Sequence, residues 1–401
     1  MKIAYISYEH PLGISGGGIG TYIGQVAKLM ASKGHHIEAF SGHGSINETK
    51  IIDNYQLHLI HSIDILDFRN KVLDKFSERN TLIIFDLIES PEYGADALLV
   101  KKKFPGLPLV IKLHTPTFLI SRLNSYRLSP FSKFRFLFRG LLKGEIVKPY
   151  WQYDKKNDPE YQLFKIADGV CSPSKSLKVI TNKVWGDKDI IIVPNLFIPP
   201  PELLSIKKRE KTLLTVTFIG KLEKRKGILD LIDAIPLILD KKVKVEFVFV
   251  GTAMASPDKK KKMDVYILDK LKKYTHQLSF KGFVNNNKLY KILEDTDICI
   301  FPSIWENFPT VCLEAMSAGK TVIGTDSGGM AEIIDDGKTG FLIPPTSPNK
   351  IKELILMLNN QRSILEKIGK NSRKHILDYY NGTVMSKLIE DFYIKIIDKN
   401  S

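Results

Sequence analysis

Glu306 and Glu314 stand eight residues apart around a proline-containing turn, and this pair is the most informative feature of the sequence. A buried-strand pattern ends at Phe301, and an apolar helical pattern begins at Val311. One carboxylate can accept hydrogen bonds from sugar hydroxyls near the loop, and the other from a ribose. On spacing alone, Glu306 could equally be a capping acid and Glu314 an acid in the first helical turn.

Two lysines lie at the first predicted strand–helix junction of the second half of the chain, in the segment 220–227. Such a loop lies at the carboxyl edge of a parallel sheet, where ligands of doubly wound folds bind. Lys221 and Lys226 could clamp a diphosphate there and add to the attraction of a helix dipole. The alternative is a pair of solvated surface lysines, which the spacing does not exclude.

A glycine-rich loop separates the first predicted strand from the first predicted helix. Glycines at Gly16, Gly17 and Gly18 let backbone N–H groups approach a phosphate at a helix N-terminus. The loop is not the dinucleotide-binding fingerprint, because Thr21 takes the place of the last glycine when the pattern starts at Gly16. The loop is therefore expected either to bind an anion or to form a flexible turn without a ligand.

His114 directly follows the apolar run 109–113. A histidine at the carboxyl end of a strand is well placed to face a ligand cleft. The alternative is a structural histidine that forms hydrogen bonds. The nine histidines show no metal-ligand spacing, and the sequence predicts no metal site.

The stretch 112–150 holds eight Lys and Arg residues against the single acid Glu145. A helical pattern there has an apolar face next to a basic stripe. The apolar positions are Phe131, Phe134, Phe138 and Leu141, and the basic positions are Arg135, Arg139 and Lys143. This helix could touch anionic lipid headgroups or an anionic acceptor, or it could pack on the core with one solvated side.

Short apolar runs alternating with helical patterns indicate two α/β domains with mainly parallel sheets, which the 401 residues can accommodate. The proline-rich stretch 194–201 is the expected linker. In the first half the predicted strands are 2–7, 36–41, 81–86, 109–113 and 169–172, with a helix at 21–33. In the second half they are 213–219, 243–250, 278–280, 297–301, 321–325 and 340–343, with helices at 228–239 and 381–397.

The net charge of +15 is unusual and points to an anionic partner, of which nucleic acid, a membrane surface and a phosphorylated substrate are the candidates. Biased composition is the alternative. The three cysteines have no metal or redox spacing, so we expect buried free thiols in a reducing compartment. The N-terminus enters a strand without a signal-peptide pattern, which favours a cytoplasmic protein.

Taken together, these motifs resemble the retaining glycosyltransferases of family 4 (glycosyl transferases group 1), which have the two-domain GT-B fold. The resemblance spans nearly the whole chain. Its elements, in order, are the glycine loop at 16–18, His114, the element Gly220-Lys221-Leu222-x-x-x-Lys226-Gly227, the E-x7-E pair Glu306 and Glu314, and the segments 326–334 and 337–344. Lys221 stands where most members carry arginine, so a bidentate fork on phosphate becomes a point charge.

The resemblance implies a hexosyl-type enzyme that transfers a sugar from a nucleotide-diphosphate donor to an acceptor, with retention. Because protein cations can take the charge of the diphosphate, no metal or other cofactor is expected. Lys221, Lys226 and the amides at Gly16–Gly18 would stabilise the leaving diphosphate. Glu314 would bind the ribose, while Glu306 and the backbone of Asn307, Phe308, Pro309 and Thr310 would hold the donor sugar and phosphate. His114, Glu306 and Lys226 are the expected catalytic residues.

The resemblance also implies two Rossmann-like domains that face each other across a cleft. Residues 1–200 would form the acceptor domain and residues 201–380 the donor domain, with helix 381–401 packing back on the first. Glu89, Glu92 and Tyr93, just after the predicted strand 81–86, are candidate acceptor contacts or simply a capped helix start.

A cell-envelope or capsular polysaccharide or glycolipid is the expected product, made in the cytoplasm and in part at the inner face of the membrane. The acceptor would then be a glycan or a lipid-linked sugar, and the anionic membrane surface would be met through residues 112–150. A small-molecule or protein acceptor is the alternative. A sugar-nucleotide epimerase would not need the Glu306–Glu314 arrangement. No nucleic-acid-binding motif or basic recognition helix is recognisable, so nucleic acid is not an expected partner.

Overall fold

The computed structural model describes residues 1–14, 17–125, 134–136, 138, 141–142, 149, 152–206 and 212–400. Two compact units divide the chain. The first comprises residues 1–173, 177–193 and 386–401, and the second comprises residues 174–176 and 194–385. In the described ranges, no helix is both long enough and apolar enough to cross a membrane.

The first unit contains an eight-stranded sheet in the order β3-β4-β2-β1-β5-β6-β7-β8. Its strands are β1 Lys2–Ile6, β2 His36–His43, β3 Glu48–Ile52, β4 Tyr55–His61, β5 Leu87–Pro91, β6 Leu109–Lys112, β7 Gly169–Ser172 and β8 Ile190–Ile192. Only the β3–β4 pair is antiparallel among the described strands of this sheet. A run of parallel strands brings their carboxyl ends, and the loops that follow them, to one edge.

Helices cover the first sheet. They are α1 Gly18–Ser32, α2 Ile65–Ile83, α3 Leu98–Lys103, α4 Thr117–Ser125, α5 Pro159–Ile166, α6 Lys175–Trp185 and, from the end of the chain, α15 Gly382–Asn400. Helix α1 buries Tyr22, Ile23, Val26 and Met30 at helical spacing against the strand residues Ile3 and Tyr5 and their neighbours. Residues Ile389, Phe392, Tyr393 and Ile396 of α15 belong to the same core.

A buried polar network ties α15 to the first strand and to α1. The carboxylate of Glu89 in β5 accepts hydrogen bonds from the hydroxyls of Tyr22 (2.9 Å) and Tyr393. The hydroxyls of Tyr393 and Tyr5 lie 3.2 Å apart. Because buried polar groups need partners, this network fixes the register of α15 on the sheet.

The second unit contains a fully parallel six-stranded sheet in the order β11-β10-β9-β12-β13-β14. Its strands are β9 Leu214–Ile219, β10 Val245–Val250, β11 Leu278–Gly282, β12 Ile298–Phe301, β13 Thr321–Thr325 and β14 Phe341–Ile343. Its helices are α7 Pro201–Leu204, α8 Ile228–Leu239, α9 Met263–Lys270, α10 Asn286–Glu294, α11 Thr310–Ser317, α12 Met330–Ile333, α13 Pro348–Asn360 and α14 Ser363–Tyr379. Apolar clusters fill both faces of this sheet.

The predicted fold class of two Rossmann-like α/β domains is confirmed, but one predicted strand is wrong. Residues 81–83 end helix α2, and the strand lies at 87–91 instead. The apolar side chains that suggested a strand, Leu82 and Ile84, are largely exposed at the helix end. Glu89 therefore lies inside a strand, whereas Glu92 and Tyr93 follow it. The expected buried free thiols, Cys171, Cys299 and Cys312, are confirmed.

Candidate active site

Two loops interlock at the carboxyl edge of the second sheet. Gly227 directly precedes helix α8 and has a φ of +70°, and a Cβ atom there would lie 1.7 Å from the carbonyl oxygen of Pro302. The residue must therefore be glycine for both its conformation and the close approach. The contact joins the end of the predicted Gly220–Gly227 element to the start of the Glu306 loop.

Lys226 and Glu306 meet across these two loops. The ammonium group of Lys226 donates to Oε1 of Glu306, and the hydroxyl of Ser303 donates to the same oxygen at 2.9 Å. Burial by itself would raise the pKa of Glu306, but the charges of Lys226 and Arg225 and the two hydrogen bonds lower the pKa below its ordinary value. The pair is therefore a buried carboxylate and its cation. Ser303 was not among the predicted site residues.

Helix α11 presents a free N-terminus beside this pair. It begins after Pro309, no described side chain caps it, and no acid lies in its first turn. Lys226, Glu306, Pro309 and Val311 line one small cavity together with core residues. The sequence left open whether Glu306 caps this helix and whether Glu314 is a first-turn acid, and the structure shows neither arrangement.

The remaining predicted donor residues flank this N-terminus. Asn307 and Phe308 are buried, and the amide oxygen of Asn307 accepts a hydrogen bond from the Ser174 hydroxyl at 2.8 Å. Thr310 is the first residue of α11. Glu314 is one turn further along the helix, where burial raises the pKa of its carboxyl to about 7. Lys221, in contrast, is exposed.

A pair of glycines holds the Glu306 loop in place from the other side. The N–H group of Gly329 donates to the carbonyl oxygen of Glu306 at 2.8 Å. Cβ atoms at Gly328 and Gly329 would lie 2.0 Å and 1.7 Å from the carbonyl oxygens of Glu306 and Asn307. The adjacent glycines in the segment 326–334 were the available sequence signal for this support.

In the first unit, the glycine loop leads into the N-terminus of helix α1. Gly16 lies outside the described residues, whereas Gly17 precedes α1 with a φ of +132° and Gly18 begins the helix. A Cβ atom at Gly17 or Gly18 would meet no described atom within 4 Å. No described side chain caps α1 either, so the amides of its first turn remain accessible to an anion.

His114 lies two residues after β6 and is buried. The backbone N–H group of His114 donates a hydrogen bond to Oε2 of Glu92 at 2.7 Å. Its ring contacts the ring of Tyr22 edge to face, with the ring centroids 5.4 Å apart. Burial and then the nearby charge of Lys112 lower the pKa of His114 to about 3. The imidazole is therefore neutral at physiological pH, so it can exchange hydrogen bonds but carries no charge.

The three predicted acceptor contacts lie close together in the first unit. Glu89 is buried, with its oxygens hydrogen-bonded to Tyr22 and Tyr393, and burial raises the pKa of its carboxyl. Glu92 is also buried, and burial together with the charge of Glu160 raises its pKa to about 8. Tyr93 is partly exposed. Their roles in acceptor binding stay predictions.

The basic segment 112–150 is only partly described. Phe131, Arg139 and Lys143 lie outside the described residues. The side chains of Phe134, Phe138 and Leu141 are 62%, 48% and 76% exposed, so these members do not pack on the core. Lys112 belongs to the interior instead, where its ammonium group donates to the carbonyl oxygen of Val193, and it adds nothing to a basic surface.

The chain contains two Asp-x-Asp tripeptides, a pattern that can hold a divalent metal beside a diphosphate. Asp187 and Asp189 precede β8, and Asp295 and Asp297 precede β12. Both pairs thus lie at the amino ends of strands, away from the carboxyl edge that carries the candidate site. The carboxylate of Asp297 accepts the N–H group of Thr215 at 2.9 Å, as a structural residue would.

Comparison with known proteins finds a family match in the second unit. Residues 202–375 match the model of the family described as Glycosyl transferases group 1. The resemblance predicted from the motifs is thereby confirmed at the level of group 1, and the narrower assignment to family 4 stays a prediction.

The chain is similar to curated proteins of several organisms. It is 29% identical over 236 residues to an uncharacterised glycosyltransferase of Methanocaldococcus jannaschii, covering 57% of either chain. It is 24% identical to spore coat protein SA of Bacillus subtilis, with 93% of this chain and 94% of that one covered. It is 25% identical to the capsular polysaccharide biosynthesis glycosyltransferase CapM of Staphylococcus aureus, over 44% and 45% of the two chains.

Solved structures share the fold over the full length. Sucrose-phosphate synthase of Thermosynechococcus elongatus superposes with a TM-score of 0.74 at 18% identity, covering 100% of both chains. HepE of Anabaena in complex with UDP superposes with a TM-score of 0.67 at 16% identity, covering 98% and 99%. At these identities the likeness shows the fold, which is the GT-B fold of glycosyltransferases.

Proposed function

We propose that the protein transfers a sugar from a nucleotide-diphosphate donor to an acceptor. The observation that carries the proposal is the Lys226–Glu306 pair beside the uncapped N-terminus of α11. A cation and free helix amides favour a diphosphate, and a buried carboxylate held between them favours sugar hydroxyls. The group 1 match over residues 202–375 supports the same reading.

The donor is held by the second unit in this proposal. Lys226 and Lys221, with the amides of α11, stabilise the negative charge that develops on the leaving diphosphate. One donor aimed at developing charge is typically worth about 2.7–4 kcal/mol. Glu306 binds the donor sugar, and Glu314 accepts hydrogen bonds from the ribose. Because protein cations serve the diphosphate, no metal is required.

The acceptor side is proposed to involve the first unit, where His114 contacts the sugar or the acceptor as a neutral hydrogen-bonding group. The amides at Gly17 and Gly18 add a second anion-binding helix terminus. Transfer with retention at the anomeric carbon is the outcome that the family 4 resemblance favours.

A role in cell-envelope or capsular polysaccharide synthesis is the finer part of the proposal. It is supported by similarity to the capsular enzyme CapM and to spore coat protein SA. The exposed side chains of Phe134, Phe138 and Leu141, with Arg135 among them, support contact with an anionic membrane at the inner face. A soluble small-molecule or protein acceptor is the second candidate, and it is supported by the shared fold of sucrose-phosphate synthase, an enzyme named for a small sugar phosphate.

A thermal-shift screen with UDP-, GDP-, ADP- and dTDP-sugars tests the proposal. We expect one nucleotide class to raise the melting temperature, with the same shift in the presence of EDTA. NMR of the product then reports its anomeric configuration and distinguishes transfer from epimerisation of the donor. Strong salt-sensitive DNA binding with no shift for any nucleotide sugar would refute the proposal.

A further inference from the structure

Glu160 is a buried acid in the first unit that the proposed site does not use. It is the second residue of α5, whose first turn is capped by Asp158 through a 2.9 Å hydrogen bond from the Glu160 N–H group. Only 3% of Glu160 is exposed, although it lies near a helix start, where acids usually point to solvent. The side chain turns inward toward two loops at the carboxyl edge of the sheet.

The carboxylate of Glu160 receives three hydrogen bonds from these loops. Its Oε1 atom accepts the N–H group of Gly94 at 3.1 Å and the hydroxyl of Thr117 at 2.5 Å. Its Oε2 atom accepts the N–H group of Thr117 at 2.8 Å. Thr117 is the first residue of α4, so the carboxylate also lies at the positive end of that helix.

The turn that carries Gly94 has little freedom to move elsewhere. Gly94 has a φ of +77°, and a Cβ atom there would lie 2.1 Å from Cδ1 of Ile65. Its carbonyl oxygen accepts a hydrogen bond from Nε of Arg69 at 2.5 Å. The hydrogen bond from the Gly94 N–H group to Glu160 completes this set, so the side chains of Arg69 and Glu160 hold both peptide groups at Gly94.

The same turn holds His114. Glu92, two residues before Gly94, accepts the N–H group of His114 at 2.7 Å, and Thr117 follows His114 by three residues. A closed circuit therefore runs from Glu92 to His114, along the chain to Thr117, across Glu160 to Gly94 and back to Glu92. Neither loop can shift without breaking a buried hydrogen bond, and leaving a buried donor or acceptor without its partner is unfavourable.

We propose that Glu160 is a positioning residue that locks the 92–95 turn to the 114–117 loop and so fixes where His114 stands during sugar transfer. The inference rests on the proposed function for its kinetic consequence but not for its geometry. Thr117 and Gly94, which are 43 and 66 positions away from Glu160 in sequence, both donate hydrogen bonds to this one side chain.

The test is Glu160→Gln, which keeps the shape of the side chain. An amide has one acceptor oxygen, so its NH2 group must face a donor and at least one of the three hydrogen bonds is lost. The matched control is Asp158→Asn, which weakens the cap of the same helix without touching either loop. The Cε1–H signal of His114 is followed by NMR in 13C-histidine protein and assigned with His114→Gln.

We expect the His114 signal to move in Glu160→Gln and to stay in place in Asp158→Asn. Turnover of the nucleotide sugar identified in the screen should fall at least about tenfold in Glu160→Gln, with the KM for the donor unchanged because the second unit holds it. Thr117→Val, which removes one of the three bonds, should give a smaller displacement in the same direction. Thr117→Val takes the place of Glu160→Gln as the test variant if Glu160→Gln does not fold.

An unmoved His114 signal in Glu160→Gln, or an equal displacement in Asp158→Asn, would overturn the positioning role. A displaced signal with normal turnover would overturn its part in the reaction. If the unaltered protein turns over no nucleotide sugar, the proposed function fails, and the NMR signal alone then decides whether Glu160 positions His114.

Discussion

Replacing Lys226 by methionine removes the cation while keeping most of the apolar stem, and it should affect turnover and stability by separate routes. If Lys226 stabilises charge that develops on the leaving diphosphate, its loss removes about 2.7–4 kcal/mol of transition-state stabilisation. That corresponds to a fall in turnover of about a hundredfold to a thousandfold, and tenfold is the smallest fall consistent with the role. Glu306→Ala should lower turnover by at least tenfold as well.

The stability effect follows from what remains around Glu306. Without Lys226 its carboxylate is buried with the Ser303 hydroxyl as the nearest remaining donor among its described partners. Breaking a buried pair costs about 3–5 kcal/mol, and we take ~3 kcal/mol because the Lys226 and Glu306 side chains keep 20% and 11% of their exposure. Burial is the largest single influence on Glu306 and raises its pKa, and in Lys226→Met it is no longer opposed by the ammonium group of Lys226. The deficit should therefore shrink as the pH falls toward 4, where the unfolded carboxyl also takes up its proton.

The double variant Lys226→Met with Glu306→Gln separates the two routes. It leaves no buried unpaired charge, so urea unfolding should show most of the lost stability restored. Release of nucleoside diphosphate from the donor should remain as low as in the single variant, because no cation has been returned to the site. A fall in turnover of less than about tenfold in Lys226→Met, or full recovery of turnover in the double variant, would refute the reasoning.

Three further predictions concern other parts of the structure. Because the carboxyl pKa of Glu314 is about 7, nucleotide binding measured by calorimetry should strengthen up to about tenfold from pH 6 to pH 8. Glu314→Gln should abolish this pH dependence. If nucleotide binding by Glu314→Gln still depends on pH in the same way, Glu314 does not bind the nucleotide. Gly227→Ala should lower the free energy of unfolding well beyond Gly337→Ala, which has a similar φ of +72° but no described atom within 4 Å of its Cβ position. Equal losses would mean that backbone strain alone acts. Neutralising Arg135, Arg139 and Lys143 together should weaken sedimentation of the protein with anionic phosphatidylglycerol vesicles. Unchanged sedimentation would exclude the proposed membrane contact.

The sequence predicted those parts of the site that lie on local motifs. Glu306, Glu314 and Gly227 were identifiable because their spacing reflects a strand, a turn and a helix that follow one another along the chain. The strand at 87–91 was misplaced because an exposed helix end, with Leu82 and Ile84, has the same apolar composition as a buried strand.

Partners that are distant in sequence could not be predicted. The bonds of Glu160 to Gly94 and Thr117, and the burial of Lys112 with its hydrogen bond to Val193, depend on how separate elements pack. An acid near a helix start and a lysine at a strand end look like surface residues in a single sequence. Only the folded arrangement shows that both point inward.

The placement of α15 has a consequence for the order in which the protein can fold during synthesis. The core of the first unit includes Phe392 and Tyr393, yet these residues are translated after the whole of the stretch 194–385. At about 5–20 residues per second, that stretch occupies the ribosome for roughly 10–40 seconds. The first unit must wait through this interval with an apolar face of its sheet uncovered, so the second unit, although made later, is the first that can complete its core.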